Sequence, residues 1–73
     1  MILNQIPEDQ VMSKNLKYYQ QILAKVSFDV ILFRKELKKA YGYLNPKDQI
    51  KLRIWVNDFI VNRADLQSAV FAL

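Results

Sequence analysis

An all-α fold, a small bundle of helices, follows from three properties of this 73-residue chain. Glycine occurs once (Gly42) and proline twice (Pro7 and Pro46), so there are few places to turn. No period-2 alternation of apolar and polar residues runs long enough for a strand. Apolar residues recur instead at spacings of three and four, the repeat that places them on one helix face. The pattern predicts a single domain over 1–73: a three-helix bundle with a long C-terminal helix, or a four-helix one if that last helix breaks near 62–65.

The first helix is predicted over 13–26, or from Pro7 if the start of the chain joins it. Met12, Leu16, Tyr19, Leu23 and Val26 form its apolar stripe, with Ile22 on the edge and Lys14, Lys17, Gln21 and Lys25 opposite. Pro7-Glu8-Asp9 suits a first helical turn, whereas Ser13 or Asn15 would cap a later start. Residues 1–6 are expected to fray. Met12-Ser13 also reads as an alternative translation start, which would make the first eleven residues dispensable.

The second helix is predicted over 29–44. Asp29 as N-cap would pair Phe28 with Phe33 as a hydrophobic staple, and Ser27 as N-cap would pair Val26 with Ile31. Its buried stripe is Val30, Phe33, Leu37, Ala40, Tyr41 and Leu44. Phe28, Ile31 and Leu32 fall off that stripe, so its first turn is apolar nearly all round.

Gly42 to Asn45 marks the next break, and Asn45-Pro46-Lys47-Asp48 reads as a strong helix start. The Asn45 side chain can accept a backbone N–H, Pro46 has none to leave unpaired, and Asp48 sits near the positive end of the helix. From Lys47 to Leu73 no glycine or proline intervenes, which favours one long or kinked helix over 46–72. Leu52, Phe59, Leu66 and Leu73, flanked by Trp55, Val56, Ala69 and Val70, form its main stripe. Ile50, Ile54 and Val61 point to another side. Asn62-Arg63-Ala64-Asp65 also resembles a capping pattern, at which the helix would stop and restart as a short fourth one through Phe71.

Composition excludes several function classes. With neither cysteine nor histidine, the chain has no disulfide framework, no thiolate metal site and no histidine general base. One glycine cannot build a phosphate-cradling loop. Glu36, Asp48, Asp58 and Asp65 make no paired-carboxylate pattern on a buried face, and Asn57 with Asp58 reads as exposed helix surface. The expectation is therefore not an enzyme, with no catalytic residue, metal, cofactor or small-molecule substrate. No signal-like start and no apolar run long enough for a membrane span are present, so a cytoplasmic location with no membrane partner is expected.

Two surfaces remain. The net charge of +4 is concentrated in 30–53, where seven basic residues face only Glu36 and Asp48. Arg34, Lys35, Lys38, Lys39, Lys47 and Lys51 form a candidate anion or nucleic-acid patch, extended by Arg53 and interleaved with Tyr41 and Tyr43. A helix-turn-helix reading of this region fails, because Lys38 and Asp48 occupy positions that such motifs keep small or apolar. The off-stripe apolar set Phe28, Ile31, Leu32, Ile50, Ile54 and Val61 is the candidate interface, on a homo-oligomer or a partner protein. The reading favoured is a non-enzymatic helical protein–protein interaction or small regulatory domain acting through its C-terminal helix. A small nucleic-acid-binding protein using 34–53 is the alternative. A long third helix that buries both its sides within one chain would leave no such interface.

Overall fold

The computed structural model describes residues 13–73, which form four helices and no strand. These are α1 (Lys14–Lys25), α2 (Val30–Tyr43), α3 (Pro46–Phe59) and α4 (Ala64–Phe71). The expected fraying of 1–6, the helix start at Pro7, the place of Met12 in the first stripe and the alternative start there all lie outside the described residues.

Three of the four helices begin on a side-chain cap. Ser13 Oγ accepts from Leu16 N at 3.0 Å, Asp29 Oδ1 from Leu32 N at 3.1 Å and Asn45 Oδ1 from Asp48 N at 2.8 Å, each satisfying an orphan donor of the first turn. Of the two starts open for α2, Asp29 is the one used. The Phe28 ring stays 77% exposed while Phe33 is fully buried, so no staple closes over this end. Gly42 lies inside α2, which runs through it to Tyr43, and it has no positive φ. The second break belongs to Leu44 and Asn45 instead.

α2 packs on both α1 and α4, and α1 also packs on α3. Side-chain bonds give the directions. Ser13 Oγ donates to Asp48 Oδ2 at 2.6 Å, which brings the starts of α1 and α3 together. The Arg63 guanidinium donates to Ser27 O at 2.9 Å, and Arg34 donates to Ala72 O at 3.3 Å, so α4 descends beside the first half of α2 in the same direction. Leu16, Leu23, Phe33, Leu37, Leu52 and Leu66 are fully buried at the centre, with Val56 and Ile60 beside them. Phe59 stacks on Phe33 with ring centroids 6.1 Å apart, and Trp55 stacks on Phe59 at 4.9 Å.

The long C-terminal helix expected over 46–72 is two helices. α3 ends at Phe59 and α4 runs from Ala64, inside the 62–65 pattern, through Phe71, so the alternative with a short fourth helix is the one the chain adopts. The reason is geometric. One helix over 46–72 would reach about 40 Å, roughly twice the length of α2, and its far half would have nothing to bury against. Breaking at the corner folds Leu66 and Ala69 back onto α2. Gln67 Nε2 donates to Ile60 O and Val61 O, covering carbonyls that the end of α3 leaves open. One stripe assignment changes with the break, and one core residue is added that lay on neither stripe. Leu73, on the stripe only if the helix continues, is 47% exposed, and Ile60 is buried.

Candidate interaction surfaces

All six off-stripe apolar residues are on the surface. Phe28, Ile31 and Leu32 sit at the corner and first turn of α2, Ile50 and Ile54 on the outer side of α3, and Val61 in the corner after it. They do not share one hollow. Ile50 borders a shallow hollow of about 240 Å³ with Tyr41, Gln49 and Arg53, where the end of α2 meets the start of α3. Ile31 belongs to a larger groove between α2 and α4.

The hollow beside Ile50 is built by a side chain that closes the preceding helix. Gln49 Nε2 donates to Tyr41 O at 2.9 Å and to Leu44 O at 2.8 Å, so the C-terminal carbonyls of α2 are satisfied from α3. This repeats at the next corner, where Gln67 serves α3 in the same way. Both glutamines stand four residues after their helix's N-cap, Asn45 and Arg63 respectively. Neither role is visible in hydropathy alone, because a polar residue at that position reads as ordinary surface.

The groove between α2 and α4 measures about 560 Å³. On α2 it is bordered by Val30, Ile31, Arg34, Lys35 and Lys38, residues that fall on one helix face. On α4 it is bordered by Asp65, Ser68, Ala69 and Ala72, again one face. Asp65 is already matched. Arg63 grips its carboxylate with two bonds, at 3.0 and 2.8 Å, and that pairing holds the Asp65 carboxyl below its usual range and the Arg63 guanidinium above its own.

The basic patch is divided by the fold. Arg34, Lys35 and Lys38 gather at this groove. Lys39 acts electrostatically on Tyr19, whose phenol is pushed up by burial against the opposing pull of that ammonium. Arg53 does the same for Tyr41, again against burial. Lys47 and Lys51 lie on the first turns of α3 and both take part in interactions. The candidate patch is therefore shared between α2 and α3, and of its residues Arg34, Lys35 and Lys38 border the groove.

Asn57 and Asp58 are both exposed on α3. Among the described residues no cluster of acidic side chains could hold a metal ion, and no helix is long and apolar enough to cross a membrane. Phe71, the most exposed large apolar side chain among the described residues, lies on none of the stripes. It stands five residues after Leu66, and at ~100° per residue that offset turns it well away from the buried face. No family model, no curated protein and no solved structure matches this chain.

Proposed function

We propose that this chain is a non-enzymatic interaction domain that self-associates, or docks on a partner protein, through the outward face of α3. The observation that carries this is the exposure of Ile50 and Ile54, 53% and 63%, one turn apart on the same helix. Val61 continues the apolar surface past the end of α3, at 64%. Large aliphatic side chains repeated at helical spacing on an outer face match the way helices pack on one another or enter a groove. Single exposed apolar residues need no explanation, but a pair in register on one helix does. The exposed positions of Asn57 and Asp58 fit this reading, and the one buried carboxylate of α3, Asp48, is taken up by Ser13.

Light scattering on a sizing column at low micromolar concentration tests this, with Ile54→Lys beside the parent chain. A dimer or larger that becomes a monomer in the variant, or a partner recovered by the parent and lost by Ile54→Lys, supports the proposal. A parent and variant with the same mass, stability and recovered partners would refute it.

A further inference from the structure

We infer that the groove between α2 and α4 is a docking site for an acidic amphipathic helix of a partner protein. This surface is distinct from the α3 face, so either proposal can fail alone.

Charge complementarity argues for the occupant. Arg34, Lys35 and Lys38 line one wall, and the only acidic lining residue, Asp65, is held by Arg63. Among the described residues neither Lys35 nor Lys38 has an ion-pair partner, and both are exposed. Arg34 is turned to Ala72 O, where its charge also opposes the negative end of α4. The groove thus carries a positive potential that no acidic side chain of its own offsets.

The shape argues for a helix. Apolar lining comes from Val30 and Ile31 on one side and Ala69 and Ala72 on the other, and Ile31 is 79% exposed. Ala69 and Ala72 are a turn apart with short side chains, so a third helix could approach α4 closely. α4 has eight residues and is about 12 Å long, which sets the occupant at two to three turns. An amphipathic helix would lay its apolar stripe between the two faces and set carboxylates against Lys35 and Lys38, in the helix-in-groove mode. Nucleic acid fits less well. No aromatic ring lines the groove to stack on a base, and phosphates would leave its apolar lining uncovered.

The test is fluorescence anisotropy with a labelled helical peptide of about four turns, leucines at i, i+3, i+4 and i+7 and glutamates on both flanks. Saturable binding is expected, weakened about tenfold or more in Lys35→Glu/Lys38→Glu and in Ile31→Asp, and unchanged in Ile54→Lys. All four substituted positions are exposed, and circular dichroism with a melting curve checks that each variant is folded. Three results would overturn the inference: no saturable binding up to about millimolar peptide, equal binding of a peptide with serines in place of the leucines, or binding to the folded Lys35→Glu/Lys38→Glu and Ile31→Asp variants equal to that of the parent chain. A single-stranded oligonucleotide that binds where the peptide does not would also overturn it, and would assign the patch to nucleic acid.

Discussion

Ser13 Oγ donates to Asp48 Oδ2 at 2.6 Å while accepting the Leu16 N–H at 3.0 Å, so one hydroxyl caps α1 and ties it to the start of α3. Asp48 is correspondingly buried, although its position near a helix start would suit an exposed carboxylate equally well. Ser13→Ala removes the cap and leaves that carboxylate short of a partner, a loss of about 1–3 kcal/mol by both effects together. Asp48→Ala should cost a similar amount. Because both variants break one bond, the double variant is expected to cost clearly less than their sum, which urea denaturation of all three would show.

Leu37 is fully buried on α2 between its neighbours. Leu37→Ala is expected to cost about 2–5 kcal/mol, a large share of the stability available to a domain of this size. Leu73→Ala, at an exposed position beyond α4, should lie within about 0.5 kcal/mol of the parent chain. Matched thermal melts would decide between this pattern and a stripe that continues to the C-terminus.

The α3–α4 corner contains no glycine or proline and is held by side chains. Arg63 reaches both Asp65 and Ser27 O, and Gln67 covers two carbonyls of the preceding turn. Gln67→Ala should therefore loosen α4 before it loosens the rest. Hydrogen exchange is expected to speed up at the amides of α4 and remain near parent rates at Leu23 and Leu37. Uniform acceleration would mean instead that α4 opens only with the whole domain.

Much of this fold was legible because local signals agreed with one another. Asp29 and Asn45 are capping residues placed directly before helical periodicity, and Leu16, Leu23, Phe33, Leu37, Leu52 and Leu66 are buried where the spacing puts them. The corner at 60–63 was harder. Its capping pattern was present, but the absence of glycine and proline argued for continuity, and what decided was the short length of α2 available as a packing partner. The candidate surfaces were legible only as exposure. Periodicity marks Ile31, Ile50 and Ile54 as off the core face, yet it cannot say that Ile31 joins Lys35 and Lys38 in a groove with α4, because that depends on where the chain folds back.

Tyr19 gives the fold a pH dependence at its alkaline side. Burial raises its phenol above the ordinary value of 10.0, and Lys39 only partly offsets this. The folded state therefore holds the proton more tightly than the unfolded chain does. Its contribution is fully present below the unfolded value and is lost as pH rises through the higher folded one. Tyr41 acts with the same sign. Tyr19→Phe keeps a ring in place to meet Tyr18 and Tyr43 and removes the ionisable group. Its melting temperature should fall less steeply than that of the parent chain above about pH 10.

Gly42 offers the opposite kind of test, a substitution that should stabilise. It lies in the last turn of α2 with no positive φ, and a Cβ added there would meet no atom within 4 Å. Nothing in the folded state requires glycine at this position. Its presence leaves the unfolded chain more freedom to lose on folding, and alanine is the better helix former. Gly42→Ala is expected to add about 0.4–1 kcal/mol, seen as a higher urea midpoint with an unchanged slope. A loss of stability would mean that the chain at Gly42 leaves the helical region in solution, and α2 would then end a turn earlier.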